Sequence, residues 1–308
     1  MKANKNIFMK ECHCEPNSLG EAIHTRLSRR PIKIGLLSII ILISQFFTFG
    51  CKDVITVDLN SADPSTVIEA SIIESDSESR VIITKSTDFY NPGVYEKVSD
   101  AIIIVNDSEG NSFEFNETID GVYENRVISG KSGIEYSIEV VSEGITYDAV
   151  SNMPNKLILD SLGLAEAPQR PNSKEESFRF YLHLYFQDQL EIEDYCRIKL
   201  YSNGVPLDGF NLYEDKLTDG NYIDYRLLVS NEHGNVKLGD VMRVELMSID
   251  QAAFEYYKTA NSVNASNSGR GPSSTSAAPA NPVTNWSNNA LGFFSAYAVS
   301  SSSIEIRR

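Results

Sequence analysis

The residue with the clearest chemistry is Cys51. Small Gly50 stands directly before it, behind the charge-free, mostly apolar run Ile34–Phe49, which itself follows Arg26, Arg29, Arg30 and Lys33. A bilayer-spanning helix takes roughly 20 apolar residues, so this shorter run reads as the core of an export signal. A small residue followed by a thiol is the arrangement of a lipoprotein cleavage site, although Thr48 stands where leucine is usual. The expectation is removal of residues 1–50 and lipidation of Cys51. Acyl chains there would hold the chain to a membrane, at about 0.8 kcal/mol per buried CH₂.

Other reactive groups are sparse. With Cys51 lipidated, Cys196 has no cysteine to pair with in the mature chain, and beside Tyr195 in a strand-like run it reads as a small buried hydrophobe. Of the four histidines, only His183 and His233 lie beyond the leader. That is too few for a His-rich zinc site or an HExxH helix. There is no nucleophile elbow and no P-loop. A Ser-His-Asp triad on His183 stays open, because triad members need not be neighbours in sequence. Paired carboxylates hydrolyse glycosides across a cleft. The runs Glu74, Asp76, Glu78 and Glu191, Glu193, Asp194 read instead as solvated acidic surface, without the spacing of a calcium loop. No catalytic residue, metal or cofactor is therefore expected. Aromatic rings offer apolar area at low entropic cost, which makes Tyr256, Tyr257 and the one tryptophan, Trp286, the candidate ligand-binding residues.

The elements that must position these groups are mostly strands. Short runs rich in Val, Ile, Thr and Tyr follow one another from Thr66 to Ser151, separated by turns such as Asp107–Gly110 and Ser142–Gly144. Seven short strands over about 90 residues predict an immunoglobulin-like β-sandwich. Met153-Pro154-Asn155 breaks the pattern, and Ala165–Glu176 reads as a linker or long loop. Phe178–Phe186 then alternates strictly, with Phe178, Phe180, Leu182, Leu184 and Phe186 on one face. Asp250 is a candidate N-cap for a helix over Gln251–Ala260. Final strands are expected at Gly292–Ser300 and Ser303–Ile306. The fold class is thus mainly β, an N-terminal sandwich followed by a second β-rich domain with one short helix. The expected organisation is leader 1–50, tether 51–64, sandwich 65–155 and second domain 156–308, with a mobile Ser/Asn/Gly/Pro-rich loop at 262–279.

Charge separates leader from body. Residues 1–50 carry seven Lys/Arg against three Asp/Glu, and residues 51–308 carry 20 against 39. A body this acidic excludes the basic footprint on which nucleic-acid binding depends. It would suit cationic cargo, or serve solubility alone.

The C-terminal block carries a resemblance. Pro279-Ala280-Asn281-Pro282-Val283-Thr284-Asn285, followed by Ala290-Leu291-Gly292-Phe293-Phe294-Ser295-Ala296-Tyr297, is similar to the closing signature of a Bacteroidetes lipoprotein family, the domain-of-unknown-function family 4249. Val98–Val105 before Asp107, Gly121-Val122-Tyr123, Met153-Pro154 and Phe254-Glu255-Tyr256-Tyr257 agree with it. Trp286 and Asn288-Asn289 depart from it, standing where smaller or glycine-containing sequence is usual. Pro279, Asn281, Pro282, Asn285, Gly292, Phe294 and Tyr297 are the motif residues. Their prolines and asparagines fix an irregular turn, and Gly292 permits close packing as the chain enters a final hairpin. The resemblance implies no activity. It implies an outer-membrane lipoprotein, exposed at the cell surface, that accompanies a TonB-dependent outer-membrane transporter. Lys52-Asp53 resembles, in two residues, the surface-export signal of such lipoproteins, and Asp160-Ser161-Leu162 resembles an O-glycosylation acceptor of that phylum. A surface hydrolase using His183, or an adhesin-like structural sandwich, are the alternatives.

Overall fold

A computed structural model describes residues 63–74, 79–87, 93, 95–168, 178–216, 218–231, 236–267 and 281–307. The leader, Cys51, nearly all of the tether, His233, Pro279 and all of 169–177 lie outside the described residues. Among the described residues the chain forms fifteen strands and one helix. The first seven are β1 (Thr66–Glu74), β2 (Ser79–Lys85), β3 (Ile102–Asp107), β4 (Ser112–Ile119), β5 (Val122–Asn125), β6 (Glu135–Ser142) and β7 (Ile145–Asn152). Next come β8 (Leu159–Glu166), β9 (Arg179–Gln187), β10 (Tyr195–Ser202), β11 (Val205–Pro206), β12 (Asn211–Glu214), β13 (Tyr222–Ser230) and β14 (Val241–Ile249). Helix α1 (Gln251–Asn267) and β15 (Leu291–Glu305) close the chain. No described helix is long and apolar enough to cross a membrane.

The fold is mainly β, as the alternation predicts. β1, β2 and β5 form one layer of the first sandwich and β3, β6 and β7 the other. β4 serves both, pairing β3 through Ser112–Phe115 and β5 through Asn116–Ile119, with a register shift after Glu117. The layers enclose Ile68, Ile83, Ile103, Tyr123, Tyr136 and Val140. Each such large side chain contributes about 1.5–3 kcal/mol by leaving water. Tyr123 is tied within the core, its hydroxyl donating to Val98 O at 3.0 Å. At the β6–β7 turn Glu143 and Gly144 both have positive φ, +52° and +78°, the pattern of a two-residue type I′ hairpin.

A second layered body follows. β13, β9 and β8 form their own sheet, in that order. The alternation predicted for β9 is present: Phe180, Leu182, Leu184 and Phe186 are buried, against Ile198, Val244 and Leu246 from β10 and β14. The two larger hydrophobic clusters divide near residue 155, except that Trp286, Ala290, Phe294 and Ala296 belong to the first. β15 explains the exception. Its first half pairs β1 in parallel, Val67 with Leu291 through Glu74 with Ala298. Its second half pairs β14 antiparallel, from Ala298–Ser248 to Glu305–Val241. One strand therefore joins both bodies, and residues 60–308 form a single compact unit.

Three elements differ from the sequence expectation. Strand β8 occupies part of the stretch read as a linker. β15 is one strand of 15 residues, where two strands and a hairpin were expected. Helix α1 runs to Asn267, beyond Ala260 and into the stretch read as a mobile loop; residues 268–280 lie outside the described residues. Ser and Asn are weak helix formers, but Pro and Gly are absent before Gly269. The Thr259 and Ser262 hydroxyls also bond back to helix carbonyls, Thr259 Oγ1 to Glu255 O at 2.9 Å and Ser262 Oγ to Thr259 O at 2.6 Å. At the other end Asp250 is the N-cap, its Oδ1 accepting from Ala253 N at 2.8 Å.

Candidate functional site: an aromatic and basic cleft under helix α1

Alternation along β10 buries Cys196, Ile198 and Leu200 and turns Tyr195, Arg197, Lys199 and Tyr201 to the outer face. On β15, Phe294, Ala296 and Ala298 enter the first core or its border, leaving Phe293, Ser295 and Tyr297 on the outer side. Helix α1 lies over that outer face because Ala253 and Phe254 pack on Met247, Ile249 and Phe293. Sheet and helix leave a cleft of about 300 Å³ between them. It crosses five neighbouring strands, β10, β14, β15, β1 and β2, which supply Arg197, Met247, Ser295, Ser71 and Arg80 among its lining. Tyr256 and Tyr257 of α1 and Phe210 before β12 complete the wall.

The rings are ordered by mutual packing. Tyr256 stacks on Phe293 with centroids 4.9 Å apart and meets Tyr257 edge-on at 5.3 Å. The guanidinium carbon of Arg197 lies 4.1 Å from the Tyr257 centroid and 5.2 Å from that of Phe210, a cation held by ring faces. Burial pushes the Tyr256 hydroxyl up to about 12 and raises that of Tyr297 further, so both are neutral donors.

The cleft is basic on an acidic protein. Arg80 bonds Glu124 through Nε and Nη2, at 3.0 and 2.7 Å. Neither Arg197 nor Lys199 has a carboxylate within salt-bridge distance among the described residues. Burial, with Arg197 next, depresses the Lys199 ammonium below its ordinary value. Glu69 is the acid in the lining. Two buried polar atoms here lack a hydrogen-bond partner among the described residues, Arg197 Nε and Ser295 Oγ. Ser295 is 3% exposed.

The sequence-singled residues are distributed unequally. Tyr256, Tyr257 and motif residue Tyr297 meet in the cleft. Trp286 does not; it is buried in the first core, its indole N–H donating to Ile68 O at 2.9 Å. Residues 285–288 form a clasp on edge strand β7, to which Asn285 is the motif's contribution. Asn285 Nδ2 donates to Val150 O and Phe294 O, while its Oδ1 accepts from Phe294 N. Ser287 N bonds Asp148 O at 2.9 Å and Asn288 Nδ2 bonds Thr146 O at 2.7 Å. Asn288 and Asn289 have φ of +52° and +58°, a conformation that glycine adopts freely and asparagine tolerates. Gly292 has φ +87°, and a Cβ there would lie 2.2 Å from Ile68 O, so β15 needs glycine to approach β1. Asn281 and Pro282 are described, and the cleft lining does not include them. Ser161 is exposed on β8. Arg197, Lys199, Ser295 and Phe210 escaped the sequence reading, although cations at i and i+2 of a strand with a buried opposite face were a visible signal.

Two other groupings carry titratable residues. Carboxylate oxygens of Asp188, Asp215 and Asp219 lie within 4.8 Å of one another. Asp188 Oδ2 accepts from Gly220 N at 2.9 Å, Asp215 Oδ1 from Thr218 N at 3.0 Å, and Asp219 Oδ1 from Glu191 N at 2.7 Å. Oxygen ligands of this kind suit a hard cation such as Ca²⁺. Asp194, buried beside them, is pushed up to about 6, chiefly by burial, and burial raises Asp188 as well. Of the acidic runs marked in the sequence, only Asp194 belongs to this buried set. On the outer face of β9, His183 Nδ1 lies 2.6 Å from Asp224 Oδ1. Arg226 first, then His183, holds the Asp224 carboxyl below its usual range. No hydroxyl or thiol bonds His183 among the described residues, and the Cys196 thiol is fully buried and driven up by that burial.

The family described as "Domain of unknown function (DUF4249)" matches residues 52–303. No curated protein matches the chain. A solved two-domain fibronectin type-III segment of chicken tenascin is similar at a TM-score of 0.22 and 10% identity, covering 79% of this chain and 99% of its own. That likeness is too slight to bear on fold or function.

Proposed function

The chain belongs to the DUF4249 family, and from that premise we propose a lipid-anchored outer-membrane protein that binds a ligand or partner alongside a TonB-dependent transporter and performs no catalysis of its own. The observation that carries the reading is the cleft. A half-open, ring-lined cleft with two cations that lack a carboxylate in salt-bridge range among the described residues is built to hold something and contains no recognisable nucleophile and base. The basic leader, apolar run and Gly50-Cys51 support the anchor. Strand pairing of β15 with both β1 and β14 supports a rigid platform for the cleft.

The test is purification of the tagged protein from detergent-solubilised membranes of its own host. Wild type should retain a TonB-dependent transporter, and Cys51→Ala should leave the membrane fraction altogether. Repeated recovery without any such transporter counts against the reading. The runner-up, a surface hydrolase on His183, rests on the 2.6 Å contact with Asp224. It requires ester or glycoside turnover by the purified protein that is lost in His183→Ala.

A further inference from the structure

The chemistry of the cleft selects its ligand. Resting on the binding-protein reading above, we propose that it takes a small organic anion, a carboxylate, phosphate or sulfate borne on a flat apolar body, with the charged end at Arg197, Lys199 and Ser295 and the flat body against the tyrosines of α1. Three independent observations converge on this.

The first is unspent hydrogen-bonding capacity. Buried polar atoms are almost always paired, so a buried orphan marks a place where a partner belongs. Five side-chain atoms are buried without a hydrogen-bond partner among the described residues, and two of them, Arg197 Nε and Ser295 Oγ, are on this cleft. A guanidinium N–H only donates, so its missing partner is an acceptor, and a serine hydroxyl can donate to the same group.

The second is charge. Lys199 is desolvated beside Arg197, a repulsion only partly offset by Glu245, the strand partner of Lys199 on β14, and among the described residues no carboxylate lies within salt-bridge range of either cation. Arg243, which could compete for an anion nearby, pairs with Glu245, and Arg80 at the far end pairs with Glu124. Buried cations are costly without an opposite charge, and an incoming anion supplies it. That the rest of the mature chain is acidic makes the basic hollow more specific, since no general basic surface accounts for it.

The third is shape. About 300 Å³ is at the small end of ligand sites. The cleft walls carry Tyr256, whose ring stacks on Phe293, and Tyr257, whose ring covers Arg197, with Ala70, Ile82 and Met247 beside them. Such walls favour an aromatic or otherwise planar apolar body.

The experiment uses residues 52–308, the body without the lipidated cysteine, and two probes of matched shape, 2-naphthoate and uncharged 2-naphthalenemethanol, with binding measured by calorimetry at low and high salt. The expected result is a dissociation constant for naphthoate about tenfold or more below that of the alcohol, the ratio shrinking with salt. Lys199→Met keeps the stem and removes the charge, and Ser295→Ala removes only a hydroxyl. Each should weaken naphthoate and leave the alcohol unchanged. Circular dichroism and urea midpoints check that both variants fold. Equal binding of both probes, unaffected by Lys199→Met, overturns the anion assignment while leaving a ligand-binding cleft. Binding of neither probe at millimolar concentration also overturns it, and the wider reading then stands or falls on transporter co-purification.

Discussion

Gly292→Ala tests the packing that holds the two bodies together, and its cost can be worked from the backbone. Gly292 has φ +87°, where an L-residue with a Cβ is strained by about 1–2 kcal/mol. The added Cβ would also lie 2.2 Å from Ile68 O and 2.8 Å from Ile68 C, both backbone atoms of the paired strand β1. Neither can rotate away, so the β1–β15 pairing must open locally, an overpacking cost of about 1–3 kcal/mol. The total is about 2–5 kcal/mol, a large share of the 5–15 kcal/mol that stabilises a typical domain. Gly144→Ala is the control. Its φ is +78°, yet nothing lies within 4 Å of the added atom, so only the backbone strain of about 1–2 kcal/mol applies. Urea unfolding followed by far-UV circular dichroism gives both values at a shared m-value. A Gly292→Ala midpoint equal to that of Gly144→Ala would refute the reasoning, because the close approach of β15 to β1 would then contribute nothing.

Further outcomes follow from other contacts. Burial raises Asp194 to about 6 and raises Asp188 as well. A carboxyl whose folded pKa lies above its unfolded value gives stability that is full below about pH 4 and lost as pH rises through about 6. The unfolding free energy from urea melts should therefore fall from pH 5 to pH 7.5, by about 1–3 kcal/mol, and Asp194→Asn should flatten the slope. Because Trp286 is the one tryptophan and is buried, emission should be blue-shifted in the native state and move red on unfolding. Trp286→Phe, which removes the indole donor to Ile68 O, should cost about 1–3 kcal/mol in urea melts. Asp250→Ala loses the cap on Ala253 N and the contacts with Ser151 and Asn152; a loss of about 1–2 kcal/mol is expected by the same measurement.

What the sequence discloses here is mostly local. β9 is legible because its period of two is unbroken over Phe180–Phe186, and the Glu143-Gly144 turn because a type I′ hairpin demands positive φ. β8 is not legible. Its Asp160, Ser161 and Gly163 are poor strand formers, and a Cβ at Gly163 would come 3.2 Å from the Tyr185 ring. The run Ser300–Ser303 resembles a turn until β14 is seen to pair through it. Tyr256 and Tyr257 could be named from residue type, and Tyr297 from the family resemblance. Their meeting with Arg197, Lys199 and Ser295 depends on the strand order β10-β14-β15-β1-β2, whose parallel β1–β15 pair joins residues more than 200 apart in the chain. Trp286 drew attention as a lone large ring, yet its indole N–H is spent on the core.

The central claim, that the α1 cleft holds an anionic ligand, is tested most directly by a crystal structure of residues 52–308 grown with 2-naphthoate. The account predicts the carboxylate within about 3 Å of Lys199 Nζ and Ser295 Oγ, with the naphthyl ring against Tyr256 or Tyr257. A fully occupied probe elsewhere on the surface, beside an unoccupied cleft, would contradict it.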